Sequence, residues 1–278
     1  MLQTIFFVPS NNVKFIEKSK SLNADYFVFD FEDAILDSEF DNCIRNVSLL
    51  DVKDNYLVRF RFFDDSFQLN TVALSRFIEL GFKTFVIPKF KTAEQLIMIK
   101  SYLSAKRIEN DIQFVVLVES PMGLLNLFDT LTKNIIPIIG VGLGSHDYSN
   151  EIGMVHNEHN LYFAKQMILN CAKALGVLAI DTVSININSD EEFKLECLLG
   201  FQMGFDGKFI IHPRQLNLIN QVKYYSDEEV FEAQNVYSQV LDIQKGVTAL
   251  VKENGKVYEK PHINRIINII NWKKKHGI

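Results

Sequence analysis

The sequence predicts an α/β fold: a (β/α)8 TIM barrel with a C-terminal helical extension. Three observations carry this expectation. Eight short apolar runs rich in β-forming residues recur along the 278 residues, and segments with helical spacing separate them. Eight such units are what a barrel of roughly 250 residues requires. The main alternative, a doubly wound sheet, usually has fewer strands and a glycine-rich first turn, and no GxGxxG or Walker sequence follows the first run.

In chain order the runs are Thr4–Val8, Tyr26–Asp30, Tyr56–Arg61, Thr84–Ile87, Phe114–Val118, Ile136–Gly142, Leu178–Asp181 and Gly207–Ile211. They are nearly continuous in apolar character, as strands are when both faces are buried in a parallel sheet. Between them, Leu69, Val72, Ala73, Phe77 and Leu80 share a helical face, and Leu161–Leu175 has the same period. Thr92 ahead of Glu94 and Leu96, and Asp190 ahead of Glu191 and Phe193, have the character of helix caps. Gly81, Gly176 and Gly204 stand where helices end. No Gly/Ser/Pro-rich linker, internal repeat or biased tract divides the chain. The expected organisation is a barrel over residues 1–222 and an extension over 223–278 that packs on a neighbouring subunit, with a helix at Asp227–Gln244.

Composition narrows the class. A chain that is 47% hydrophobic and 23% charged, with 13 Gly and 6 Pro, is neither collagen-like nor disordered and can fill a large core. Its net charge of −5 does not suggest a nucleic-acid or anionic-membrane partner. Cys43, Cys171 and Cys197 are odd in number and far apart, which disfavours a disulfide framework or a thiolate zinc site. The N-terminus lacks the pattern of a signal peptide, and Ile135 to Leu143 is too short to span a bilayer. The expectation is a cytoplasmic protein with no membrane and no nucleic-acid partner. The 23 Phe against a single Trp are mostly core, with Phe62, Phe63 and Phe90 as candidate pocket walls.

In barrels of this kind catalytic groups sit where strands finish. Just past the runs stand Asp30, Glu32 and Asp33; Arg59 and Arg61; Lys89; Glu119; Asp147; Asp181; and His212. They are expected to converge around one mouth. Oxygen donors dominate, which suits a hard cation such as Mg²⁺ held by one or two carboxylates, water and substrate oxygens. Glu119 and Asp147 follow adjacent strands and are placed to share one ion; the alternatives are a helix cap before Pro121 and a plain loop residue. Arg59 ends an apolar strand and needs an anionic partner. That partner is either a substrate carboxylate in a bidentate fork or an internal salt bridge to Asp30 or Glu32. Lys89 suits a Schiff base or a pairing with Glu119. His212, before Pro213, reads as a structural hydrogen-bonder, and His156 with His159 as a polar loop lacking a third zinc ligand.

These residues fall within recognisable phrases. Phe7-Val8-Pro9, Ala24-Asp25, Asp30-Phe31-Glu32-Asp33-Ala34, Val58-Arg59, Pro88-Lys89 and Glu119-Ser120-Pro121-Met122-Gly123 occur in order. Gly142-Leu143-Gly144-Ser145-His146-Asp147, Ala179-Ile180-Asp181-Thr182-Val183, Gly204-Phe205-Asp206-Gly207-Lys208 and Ile211-His212-Pro213-Arg214-Gln215 follow. With the tail Gly255-Lys256-Val257-Tyr258-Glu259-Lys260-Pro261-His262, the chain resembles the citrate lyase β-subunit-like branch of the HpcH/HpaI aldolase family over essentially its full length.

The resemblance implies a trimeric barrel that binds Mg²⁺ and makes or breaks a carbon–carbon bond beside a 2-oxo or 2-hydroxy acid. By position, it implies that Glu119 and Asp147 are metal ligands and that Arg59 binds the substrate carboxylate. Glu32 and Asp33 would support metal-bound water or substrate, and Lys89 would balance charge. A metal chelated by the acid would act as a Lewis acid, with enolate charge stabilised beside it and Arg59.

Departures mark a rebuilt substrate pocket. Asn12 replaces the arginine that relatives use toward acyl-thioester phosphates, Arg61 replaces an asparagine, and His146 replaces an acidic residue. Glu259 stands for the tail aspartate that relatives supply to a neighbouring subunit's acid–base chemistry. Arg61 and His146 would favour a more anionic or phosphorylated acid. The competing expectations are an Mg²⁺-dependent lyase or aldolase acting on a small 2-oxo acid or acyl-thioester, a related transferase or hydrolase using a phosphorylated or sugar-acid substrate, and a non-catalytic metabolite-binding barrel.

Overall fold

The computed structural model of the protein describes residues 2–33, 35–245, 250–253 and 255–276. Ala34, the last residue of the acidic phrase, lies outside them. Eight parallel strands close into a barrel in chain order: β1 (Gln3–Pro9), β2 (Tyr26–Phe31), β3 (Tyr56–Phe60), β4 (Thr84–Phe90), β5 (Gln113–Val118), β6 (Ile138–Leu143), β7 (Leu178–Asp181) and β8 (Gly207–Ile210). Between the strands and after them run α1 (Val13–Ser19), α2 (Phe40–Val47), α3 (Thr71–Glu79), α4 (Ala93–Lys106), α5 (Pro121–Leu131), α6 (Ser145–Ile152), α7 (Glu158–Leu175), α8 (Asp190–Met203) and α9 (Pro213–Ile219). The fold is the (β/α)8 barrel that the alternation of apolar runs and helical segments predicts.

Small shifts in the boundaries have local causes. The sixth run begins at Ile136, but the strand starts only after Pro137, which has no N–H for the ladder. The cap of α8 is Ser189, whose hydroxyl accepts from the Glu192 N–H, so Asp190 is the first helical residue instead. Thr92 caps α4 as expected, in a reciprocal box with Gln95.

Side chains alternate between the inside of the barrel and the layer under the helices. Ile5 and Phe7, Val28, Leu57, Val86, Val115 and Leu117, Ile180 and Phe209 meet inside. The outward positions of the first half carry the phenylalanines. Phe29, Phe31, Phe60, Phe62 and Phe85 pack with Phe77, Phe82 and Phe114 in a chain of ring contacts, among them the stacked pair Phe60–Phe62 at 4.1 Å. Phe62 and Phe90 are fully buried and Phe63 stacks on Phe67, and none of the three lines the cavity at the strand ends. The three cysteines are free and buried.

The chain divides into two compact units, Leu2–Val222 and Lys223–Ile278. The second contains α10 (Asp227–Gln244), the antiparallel pair β9 (Leu250–Glu253) and β10 (Lys256–Glu259), and α11 (Lys260–His276). Within it α10 packs along α11, and Val230, Ala233, Val236 and Val240 form a buried stripe on α10 at helical spacing. Among the described residues no helix is long and apolar enough to cross a membrane.

Candidate active site

Inward parity, continued past the last hydrophobic layer, delivers charge to one end of the barrel. Phe7 leads to Pro9, Val28 to Asp30, Leu57 to Arg59, and Leu117 to Glu119. Register sets Pro9 level with Asp30, and Asp30 level with Arg59. The result is a cavity of about 330 Å³ lined by Asp30, Asp33, Arg59, Glu119 and, from the start of α6, Ser145, His146 and Asp147. Its other half is apolar.

Arg59 is the electrostatic hub. Its Nε donates to Asp30 Oδ1 at 2.8 Å and its Nη2 to Asp30 Oδ2 at 2.6 Å, a bidentate fork. Nη1 lies 3.2 Å from Glu32 Oε2, and Nη2 lies 3.4 Å from Asp33 Oδ2. The guanidinium stands over the Phe7 ring, 4.9 Å from its centroid. Burial alone would lower the Arg59 pKa; the Asp30 hydrogen bonds and the three carboxylates outweigh it and hold the pKa above its ordinary value. Of the two partners open to Arg59, this structure displays the internal one, with both Asp30 and Glu32 engaged.

Glu32 is buried, and burial raises its pKa against the pull of Arg59 and Lys89. The Lys89 Nζ sits 2.7 Å from Glu32 Oε1, so the lysine's side chain pairs with Glu32 rather than with Glu119. Its backbone serves Glu119 instead: the Lys89 N–H donates to Glu119 Oε2 at 2.9 Å. This is possible because Lys89 takes φ +50°, where the β4–β5 register shifts between Ile87 and Phe90. The buried Gln95 steadies the turn by donating to the Lys89 carbonyl and accepting from the Lys91 and Thr92 N–H groups.

The phrase Glu119-Ser120-Pro121-Met122-Gly123 now has a physical reading. Glu119 ends its strand inward, Ser120 caps α5 by accepting from the Gly123 N–H, and Pro121 fills the first helical turn. A Cβ on Gly123 would fall 2.1 Å from the Phe90 carbonyl oxygen, so only glycine lets α5 approach the lysine turn. At the end of the neighbouring strand β6, a Cβ on Gly144 would stand 2.5 Å from Glu119 Cγ and 2.8 Å from Oε1. Glycine there leaves the Glu119 carboxylate its place. Burial, then the nearby Glu32 and Asp147 charges, push the Glu119 pKa up to about 8 against Arg59 and the Lys89 N–H. Five carboxylates (Asp30, Glu32, Asp33, Glu119, Asp147) thus face two cations, Arg59 and Lys89.

Not every expected residue joins them. His146 lines the cavity, its ring stacked on His156 at 3.9 Å, while His156 Nε2 is 3.0 Å from Ser145 Oγ. Lys89 borders the cluster through Glu32 without lining the cavity. Arg61 is exposed and does not line it either, so it gives the cavity no extra positive charge. Asn12 caps α1, its side chain accepting from the Lys14 N–H. Glu259 ends β10 in the second unit, where its N–H donates to His262 Nδ1.

Two strand-end residues correct the expected convergence. Asp181 follows the inward Ile180 and so faces outward, fully buried between Lys165 Nζ at 2.8 Å and Lys208 Nζ at 3.4 Å. His212 caps α9, its Nδ1 accepting from the Arg214 N–H, which is the structural role its place before Pro213 suggests. Asp30, expected at the mouth and as a salt-bridge partner of Arg59, reaches both by its inward parity two residues before Glu32. One contributor escaped the sequence reading. Gly144 acts through the space it leaves, which no pattern announces.

The profile of the HpcH/HpaI aldolase/citrate lyase family matches residues 3–213. Citrate lyase subunit beta of Leuconostoc mesenteroides subsp. cremoris is 28% identical, over 95% of this chain and 90% of its own length. The (3S)-malyl-CoA thioesterase of Cereibacter sphaeroides is 25% identical over 94% of this chain and 90% of its own. Among solved structures, CitE from Mycobacterium tuberculosis in complex with magnesium, acetoacetate and coenzyme A superposes with TM-score 0.80 at 18% identity, covering 98% of this chain and 97% of that one.

Proposed function

We propose, from the premise that this chain belongs to the HpcH/HpaI aldolase/citrate lyase family, that it is a carbon–carbon lyase acting on a small 2-oxo or 2-hydroxy acid. One observation carries the reading: Glu119, Asp147 and Arg59 face a single cavity at the strand ends. Mg²⁺ suits the donors. They are carboxylate oxygens in excess over cations, and Gly144 leaves the Glu119 carboxylate its space. Mg²⁺ is commonly held by one or two carboxylates and keeps water and substrate oxygens as its other ligands. Glu119 and Asp147 would hold the ion, which when bound supplies Lewis-acid polarisation of the acid's oxygens.

The remaining residues work on charge and position. Arg59 directs its guanidinium at the cavity and meets negative charge where it develops on the substrate oxygen. Asp30 fixes the plane of that guanidinium, and Glu32, steadied by Lys89, holds its other edge. Asp33, half exposed at the rim, orients water or substrate. Lys89 has its ammonium on Glu32 and balances charge; it forms no Schiff base. His146 contacts the substrate from the wall of α6. In the assembled enzyme, read as a homotrimer, Glu259 serves proton transfer in a neighbouring subunit's cavity. Asn12, the cap of α1, and Arg61, exposed outside the cavity lining, take no part in this reading.

Calorimetry with pyruvate, oxaloacetate and glyoxylate tests this. Binding should require Mg²⁺ and disappear in Glu119→Gln and Asp147→Asn. Unchanged binding in both variants would overturn the reading. The thioesterase relative motivates a second assay, in which malyl-CoA is followed for release of glyoxylate or of free malate. Glyoxylate supports the lyase; malate alone supports thioester hydrolysis on the same site.

A further inference from the structure

The cavity is divided by chemistry along its circumference. From β2 to the start of α6 its wall is charged. From β7 through β8 to β1 it is built of Val183, Ile185, Phe209, Ile211, Phe7 and Pro9, with no ionisable side chain among them. Among the described residues the one cation that lines the cavity, Arg59, has its fork taken by Asp30 and its other edge by Glu32. At the rim, Ile185 is 63% exposed and Ile211 37% exposed. The volume of about 330 Å³ is more than a three-carbon acid fills.

We propose that this apolar wall receives an uncharged hydrocarbon substituent, so that the substrate is an alkyl-substituted 2-oxo or 2-hydroxy acid rather than a dicarboxylic or phosphorylated one. The inference rests on the reading of the charged half as the site for the acid itself. A second carboxylate or a phosphate turned toward Val183, Ile185 and Ile211 would meet no charged or polar side chain there to replace the part of its water it gives up. A hydrocarbon chain in the same place covers its own surface and that of both isoleucines. The acid end and the substituent therefore have one joint orientation: carboxylate toward the ion that Glu119 and Asp147 would hold, chain toward β7 and β8.

The test is calorimetry on the full chain with Mg²⁺ and the series pyruvate, 2-oxobutyrate, 2-oxopentanoate and 2-oxohexanoate, with 2-oxoglutarate as the charged counterpart of the longest. Affinity should rise about fourfold per methylene, the equivalent of ~0.8 kcal/mol for each CH₂ buried. 2-Oxohexanoate should bind more tightly than 2-oxoglutarate. Ile185→Ser and Ile211→Ser, both at the exposed rim, should flatten the dependence on chain length. A flat or falling series in the unaltered protein overturns the inference while leaving the acid site standing. So does an unchanged slope in both serine variants, which would put the chain elsewhere. If no acid, pyruvate included, shows Mg²⁺-dependent binding, the reading of the acid site fails and takes this inference with it.

Discussion

Lys89 holds two carboxylates at once, Glu119 through its backbone N–H at 2.9 Å and Glu32 through its ammonium at 2.7 Å. The backbone half of that arrangement depends on φ +50°, a region that costs an L-residue roughly 1–2 kcal/mol. At an ordinary position glycine is about 0.5–1 kcal/mol less stable than alanine. Here the order should reverse. Lys89→Gly and Lys89→Ala both remove the ammonium from Glu32, yet the glycine variant should be the more stable by about 1 kcal/mol in urea unfolding. Alanine equal to or above glycine would show that the left-handed turn carries no strain.

Gly144 permits a second prediction because its role is spatial. A methyl group there meets Glu119 Cγ at 2.5 Å, and Gly144 itself, at φ −81°, adopts a backbone open to any residue. Gly144→Ala should therefore fold, displace the Glu119 carboxylate and weaken Mg²⁺ binding at least tenfold in calorimetric titration. Metal affinity within a factor of two of the parent would mean that Glu119 has another position from which to act.

The buried ion cluster behind β7 predicts acid sensitivity. Burial works to raise the Asp181 pKa, but Lys208 and Lys165 outweigh it and hold it below its ordinary value. A depressed carboxylate pKa stabilises the fold above the unfolded value of ~3.9 and loses that contribution as pH falls through the folded pKa. Asp181→Asn leaves two buried ammonium groups short of a partner and should cost about 3–5 kcal/mol at pH 7. The gap from the parent should be constant between pH 7 and about 5 and narrow below about 4 in urea titrations. A gap independent of pH down to 3 would show that Asp181 is not ionised in the fold.

The barrel was legible because its strands are continuous apolar runs and its helices carry caps. Most of the acidic mouth was legible because charge at a strand end has few other uses. What the pattern hid was orientation. Asp181 and Glu119 both follow apolar strands, but Ile180 takes the inward place on β7 while Leu117 puts Glu119 inward on β5. Parity counted from the hydrophobic layer separates the two; proximity to a strand end does not. The Asp30–Arg59 fork needed the register between β2 and β3, a property of neither strand alone. The apolar wall lay beyond reach for a similar reason: Val183, Ile185 and Ile187 alternate with polar residues, but they lie past the end of β7 and out of step with its inward Ile180, so parity counted along the strand does not place them.

Phe62 completes the argument about orientation. It lies past the end of β3 beside Arg61, where the sequence suggested a pocket wall, yet it continues the outward parity of Phe60. Its ring is 1% exposed, stacked on Phe60 at 4.1 Å and edge-on to Phe85 and Phe114. Removing such a ring leaves a void in a close-packed layer, and Phe62→Ala should cost about 3–5 kcal/mol. Phe62→Leu, which keeps most of the volume, should cost about half as much. Both should bind Mg²⁺ and pyruvate like the parent where they are folded, because the ring is turned to the helix layer and the cavity lies on the other side of the strands. Urea unfolding with calorimetry separates the outcomes: a loss of ligand affinity without a loss of stability would place Phe62 in the pocket after all.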